Sequence, residues 1–212
     1  MDQTELKMMI TYENEYYAQG ASFIAGVDEV GRGPLAGPVL ACAVILPQGL
    51  YIEGIDDSKR LSEKKRVNLD RIIRETALTV SIGVVDVETI DNINILQATI
   101  KAMNSAVNGL TVQPDVVLID SLTLPDIKIK QRAIVKGDSL SMTIAAASIV
   151  AKVARDEMMK IYHELYPEYG FDQHKGYGTA KHINAIRTFG MCPIHRQSFS
   201  SKFTKGASGY IP

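Results

Sequence analysis

Apolar and polar positions follow two rhythms along this chain, and the changes of rhythm divide it into elements. Leu6, Met9, Ile10, Tyr16 and Tyr17 share one face at helical spacing, and Gly20 stands where a helix stops, which predicts an opening helix. Residues 22–28 form a strand-length run ending in Asp28. The turn Gly31-Arg32-Gly33-Pro34-Leu35-Ala36-Gly37-Pro38 separates it from a second buried strand at 39–46. Ser62 is placed to cap a helix running towards Thr76, and 78–85 reads as a third strand. A helix is expected at 93–108, closed by Gly109, with short strands at 116–120 and 132–135. An alanine-rich helix is expected from Ser139 to about Tyr166, ended near Pro167, and a last one over 179–189, stopped at Gly190.

Strands cluster first and then alternate with helices, so the pattern predicts one α/β domain around a mixed sheet, extended by C-terminal helices. The expected division is a lead-in helix at 1–21, a main domain at 22–169 and a basic helical subdomain at 170–212, with a hinge near Gly170 to Gly178. A chain of 212 residues, 46% hydrophobic, has enough material to bury a core. Cys42 and Cys192 lie far apart and form no framework, which is the usage of a reducing, cytoplasmic setting. Acids and Lys7 interrupt the first twenty residues, leaving no signal-like apolar stretch. The longest apolar run, 39–46, is far short of the ~20 residues a membrane helix requires. A soluble monomer without a membrane partner is therefore expected. The net charge of −1 is unevenly placed: six bases against Asp172 give +5 from Gly170 onward, leaving −6 before it. That asymmetry fits an anionic partner at the C-terminal end, and equally a solvated basic helix.

Four acids are poorly explained by folding. Asp28 and Glu29 end one apolar strand, Asp120 ends another and Asp138 precedes a helix. Strand ends in α/β sheets border ligand crevices. Singly, each is equally a turn residue, or in the case of Asp138 a helix cap. Together they need a cation, because two like charges about 4 Å apart repel by roughly 1 kcal/mol in water and about 4 at an intermediate dielectric. Oxygen ligands without nearby His or Cys select Mg²⁺ or Mn²⁺, and a pair of such ions suits phosphodiester hydrolysis. One difficulty is geometric: neighbours on a strand point to opposite faces, so the strand is expected to bend or end at Asp28-Glu29, with Gly31 and Gly33 allowing the bend.

From Phe23 to Phe199 the sequence resembles the type 2 ribonucleases H, and among them the bacterial ribonucleases HII. The marks are Ala25-Gly26-Val27-Asp28-Glu29-Val30-Gly31-Arg32-Gly33-Pro34, Asp57-Ser58-Lys59, Lys136-Gly137-Asp138, Ala147-Ser148-Ile149-Val150-Ala151-Lys152-Val153-Ala154-Arg155-Asp156, Gly176-Tyr177-Gly178-Thr179 and Pro193-Ile194-His195-Arg196-Gln197-Ser198-Phe199, in the family's order. The resemblance implies a ribonuclease H-like fold, a five-stranded mixed sheet flanked by helices with a C-terminal helical extension, and a metal site of Asp28, Glu29, Asp120 and Asp138. It also implies that the backbone of Gly31-Arg32-Gly33 meets the ribonucleotide, and that Tyr177 packs where RNA joins DNA. The 2′-hydroxyl is what distinguishes ribose, and glycines let the backbone approach it.

The implied activity is metal-dependent cleavage of the RNA strand of RNA/DNA hybrids, and cutting 5′ of single ribonucleotides in duplex DNA. Lys59 is a further candidate contact to backbone phosphate, with Arg60 beside it. Ser148, Lys152 and Arg155 fall on one helical face that is expected either to hold phosphates or to be plainly solvated. Ser121 stands where the family often has glycine. His182 and His195 are expected to serve packing or phosphate contact. Two alternatives stay open: a DNA nuclease or resolvase of the same fold, and a hybrid-binding module without activity.

Overall fold

In the computed structural model, which describes residues 9–204, the first described helix, α1 (Thr11–Tyr17), is followed by β1 (Ile24–Val30), the middle strand of a five-stranded sheet. β2 (Val39–Ile45) and β3 (Thr79–Val85) extend the sheet antiparallel on one side. β4 (Val116–Asp120) and β5 (Lys130–Ile134) extend it parallel on the other, giving the order β3-β2-β1-β4-β5. The mixed sheet is the one expected. Leu6 of the expected opening helix lies outside the described residues.

Strand alternation sends successive side chains to opposite faces. Ala25, Val27, Ala41 and Ala43 pack on helix α3 (Val87–Asn108). Cys42 and Val44 pack under α2 (Glu63–Thr76) and the long helix α4 (Met142–Leu165). The C-terminal elements are α5 (Phe171–His174), α6 (Ala180–Phe189) and α7 (Gln197–Ser200). Their apolar cluster, with Phe171, Ile186 and Ile194, also takes in Leu35, Ala36 and Met159 from the main body.

Several elements depart from the sequence reading for local reasons. β1 neither bends nor ends at Asp28: Asp28 and Glu29 stay in register with Cys42 and Ala41, and the strand continues to Val30. α3 starts at Val87, capped by Asp86, rather than at 93. Asn94 breaks it with φ +68 and re-caps it, its side chain accepting from the N–H groups of Leu96 and Gln97. The N-cap of α4 is Ser141, not Asp138, which sits one step earlier in a 3₁₀ turn, Gly137–Ser139. α1 is more than a lead-in. Glu13 is buried and its Oε1 accepts from Ser141 Oγ, Thr143 N and Thr143 Oγ1, placing a carboxylate at the N-terminus of α4.

Candidate active site

The sheet's register assembles the site. β1 pairs with β4 in parallel from Ile24–Val116 to Val27–Ile119, so the next step along both strands sets Asp28 beside Asp120. Past Val27, β1 has no pairing on that side. Asp28 and Glu29 leave opposite faces of the strand, yet at this free edge both reach Asp120. Ligand oxygens of Asp28, Glu29 and Asp120 lie within 4.8 Å of one another. The expected difficulty is thus solved by an unpaired edge rather than by a bend.

Close packing holds the carboxylates in place. A side chain on Gly26 would meet the Thr143 backbone at 2.1 Å, so only glycine lets α4 cross the sheet here and bring Ser148 to Asp28. Asp28 also accepts from the Glu29 N–H at 2.7 Å, and Asp120 accepts from the Gly137 N–H at 2.7 Å. Ser121 adopts φ +56, the left-handed conformation glycine takes freely.

Burial pushes the Asp28 carboxyl well above the ordinary carboxylate range, and repulsion from Glu29 and Asp120 adds to it. Glu29 is raised by burial too, against the pull of Arg32, whose Nη1 stands 3.4 Å from Glu29 Oε1. Three crowded oxygen donors, two of them resisting ionisation, fit a hard divalent cation, which removes the repulsion and favours the charged forms.

Asp138 stands outside this group of three. It lines, with Asp57, Lys59, Asp120 and Lys136, an open groove of about 390 Å³. Lys59 Nζ lies 3.9 Å from Asp138 Oδ2. Burial, then Asp57 and Asp120, raise the Asp138 carboxyl. Although burial pulls Lys59 down, the acids around it hold it above its ordinary value, so it remains a cation on the rim.

The Gly31-Arg32-Gly33 turn is fixed from beneath by two buried guanidiniums. Arg196 donates to the carbonyls of Gly31, Arg32 and Gly37, and Arg155 to those of Ala36, Pro38 and Lys175. Both are fully buried without a carboxylate partner among these bonds. Burial first, and Arg155 second, lower Arg196 to about 9, which still leaves it charged at neutral pH. Tyr177 covers the turn: a Cβ added to Gly33 would touch its Cε1 at 3.7 Å, and the tyrosine is 44% exposed. Leu35 N–H donates to the Gly176 carbonyl at 2.8 Å, tying the two loops together.

The helical face Ser148, Lys152 and Arg155 is neither a solvated stripe nor a free phosphate cradle. Ser148 is buried and shares a hydrogen bond with Ser58, Lys152 is paired with Asp156, and Arg155 is spent on backbone carbonyls. Spacing identifies a shared face, but the neighbouring loops at 36–38 and 58 decide its exposure. The basic C-terminal end is corrected in the same way at Arg196. Sequence reading also missed Glu13, the place of Asp57 in the groove and the structural use of Arg196; the last two carried a signal, since both stand in stretches that carry the family resemblance.

The family Ribonuclease HII matches the chain over residues 25–202. A "Ribonuclease HII" of Acetivibrio thermocellus is 56% identical over 195 residues, covering 92% of this chain and 76% of the relative. Among solved structures, ribonuclease H2 of Pyrococcus horikoshii superposes with a TM-score of 0.72 at 25% identity, covering 86% of this chain and 97% of that one. The fold is shared with Bst-RNase HIII, solved in complex with Mn²⁺, at a TM-score of 0.68 and 21% identity, over 87% of this chain and 68% of that one.

Proposed function

The chain belongs to the ribonuclease HII family and is a metal-dependent ribonuclease H, and from that premise we propose that it cuts on the 5′ side of ribonucleotides, both in RNA/DNA hybrids and singly in duplex DNA. The observation that carries the reading is the convergence of Asp28, Glu29 and Asp120 within 4.8 Å, close to a glycine turn covered by Tyr177. Asp28, Glu29 and Asp120 hold the divalent ions, with Asp138 joining from the groove rim. When bound, Mg²⁺ or Mn²⁺ supplies Lewis acidity and charge neutralisation at the phosphodiester; Mn²⁺ occupies the related Bst-RNase HIII.

The chain's residues orient the substrate around that centre. The Gly31-Arg32-Gly33 backbone meets the 2′-hydroxyl, the handle that separates ribose from deoxyribose. Tyr177 packs at the junction of RNA and DNA, and Lys59 faces backbone phosphate from the groove rim. Water adds to phosphorus as the bond to the preceding 3′-oxygen breaks, leaving a 3′-hydroxyl and a 5′-phosphate on the ribonucleotide. The enzyme acts as a monomer, and no helix among its described residues is long and apolar enough to cross a membrane.

The test is a labelled DNA duplex holding one ribonucleotide, incubated with each metal, with the cut mapped to the nucleotide. A metal-dependent cut 5′ of the ribonucleotide is expected. Equal cutting of an all-DNA duplex would point to a DNA nuclease, and tight hybrid binding without metal-dependent cleavage to a binding module.

A further inference from the structure

Tyr177 is held by its peptide rather than by its ring. Its N–H donates to the His174 carbonyl at 2.9 Å, and its carbonyl accepts from Thr179 N–H at 2.8 Å. The same carbonyl lies 2.9 Å from Nδ1 of His182, and Nε2 of His182 lies 3.0 Å from Nε2 of His195. At the far end, the Cys192 N–H donates to Nδ1 of His195 at 2.9 Å. The rings are covered: His182 is 0% and His195 3% exposed.

These contacts determine every proton position, and from both ends independently. A carbonyl only accepts, so His182 carries its proton on Nδ1 and offers a lone pair at Nε2. A backbone N–H only donates, so His195 has its lone pair at Nδ1 and its proton on Nε2. The two assignments meet correctly at the central contact: His195 Nε2–H donates to His182 Nε2. The Cys192 carbonyl also lies 3.3 Å from His195 Nδ1, but it already accepts the His195 N–H at 2.9 Å, and a proton on Nδ1 would oppose the Cys192 N–H.

Surroundings keep both rings neutral. His174 stacks on His182 at 4.4 Å, and Tyr169 and Phe171 pack against His195. Cys192 Sγ stands 3.1 Å from His195 Nδ1, and burial pushes that thiol up to about 12, so it too is uncharged. His174 accepts the Gly176 N–H at Nδ1, so its own proton sits on Nε2, facing the Tyr169 carbonyl.

We propose that His182 and His195 are positioning residues for Tyr177: a neutral pair of imidazoles that carries the geometry of the Cys192 turn to the Tyr177 peptide and so fixes the ring above the Gly31-Arg32-Gly33 turn. The inference rests on the reading of Tyr177 as the contact at the RNA–DNA junction. It assigns the two histidines to substrate discrimination, without contact to substrate or metal. Packing alone asks only for a ring-sized apolar group; the relay asks for a donor at one atom.

Two amide variants separate these roles, because an asparagine amide nitrogen falls near the imidazole Nδ1 position and a glutamine amide near Nε2. His182→Asn keeps a donor for the Tyr177 carbonyl and His182→Gln loses it. On a duplex with one ribonucleotide, His182→Gln is expected to lower kcat/KM by about 3- to 10-fold, the range of one net hydrogen bond. His182→Asn should recover most of that loss, and a hybrid with a continuous RNA strand should be much less affected. In the Tyr177→Ala background, His182→Gln should add nothing. Equal losses in the two amide variants, or a normal His182→Gln beside an impaired Tyr177→Ala, overturn the relay alone. A normal Tyr177→Ala overturns the junction reading, and the relay's function with it. Should a variant fail to fold, the wild-type protein decides through its histidine ¹⁵N resonances: protonated Nδ1 in His182 with protonated Nε2 in His195 is expected, and the opposite tautomer in either ring refutes the relay.

Discussion

At the scale of single residues, Asp120 shows how a site side chain also serves the fold, and how the two roles separate. Its Oδ1 accepts the Gly137 N–H at 2.7 Å, which ties the end of β4 to the turn carrying Asp138. An asparagine keeps an oxygen acceptor and almost the same volume while losing the charge. Asp120→Asn should therefore melt within about 1 kcal/mol of the parent, yet lose roughly a hundredfold or more of its cleavage rate, since an innermost metal ligand should matter at least as much as the partners around it. Thermal unfolding and single-turnover cleavage with Mg²⁺ and with Mn²⁺ check both halves; full activity would remove Asp120 from the site. The three acids that cluster were legible because a carboxylate closing an apolar strand has little folding purpose; Asp138, in the Gly137–Ser139 turn, stands outside their group. Glu13, Arg155 and Arg196 were not, because a buried charge is written with the same letter as a solvated one. What distinguishes them is the backbone they meet: the α4 N-terminus for Glu13, and the carbonyls of residues 31–38 for the two arginines.

At the scale of elements, β1 supplies what neither Asp28 nor Glu29 supplies alone. Strands were readable from their apolar runs to within a few residues, but the pairing that ends after Val27 on the β4 side was not. A free edge is a property of the sheet, not of the strand's own sequence. The crossing of α4 over Gly26 is equally hidden, and it sets a sharp test. A methyl at Gly26 would lie 2.1 Å from the Thr143 carbonyl carbon and 2.3 Å from the Ile144 nitrogen, both backbone atoms that move only with the helix. Gly26→Ala is expected to cost about 3 kcal/mol, near the top of the overpacking range, and to weaken cleavage by displacing Ser148 from Asp28. Denaturant unfolding measures the first effect, and an unchanged midpoint would mean that α4 shifts freely. The paired rings on α6 and the Cys192 turn give a pH signature. Burial lowers His182 to about 4 and His195 to about 3, against an ordinary value near 6.5. The unfolded chain therefore takes up protons below about pH 6.5 that the folded one refuses, so stability present at neutral pH is lost as pH falls towards those lowered values. Unfolding free energy measured from pH 7 to 4.5 should decline more steeply in the parent than in His182→Asn, and parallel curves would argue against a buried neutral ring at 182.

At the scale of the whole molecule, the basic C-terminal end looks separable by charge and is not separable by contact. Its sequence suggested a subdomain gripping an anionic partner, but its most buried base, Arg196, faces inward. From the same end, Gly37 N–H donates to the Ile194 carbonyl, Arg196 N–H to the Leu35 carbonyl, and Ser200 Oγ–H to that carbonyl as well. The Gly31-Arg32-Gly33 turn is thus a loop of the N-terminal half held in shape by the C-terminal end of the chain, with Leu35, Ala36 and Met159 buried beneath it. Removing residues from 170 onward would uncover those apolar side chains and leave the carbonyls of Gly31, Arg32 and Gly37 without the guanidinium that satisfies them. Each buried acceptor left unpaired costs about 1–3 kcal/mol, which is large beside a total stability of roughly 5–15 kcal/mol for a domain of ordinary size. The truncated chain should therefore melt far below the parent and lose selective cutting at a ribonucleotide, even though it keeps Asp28, Glu29, Asp120 and Asp138. Calorimetry of the shortened chain, together with cleavage of the single-ribonucleotide duplex, tests this. A cooperative transition near the parent's temperature with cleavage retained would show that the turn holds its shape without Arg196, and that the segment from 170 onward is an attachment rather than part of the recognition surface.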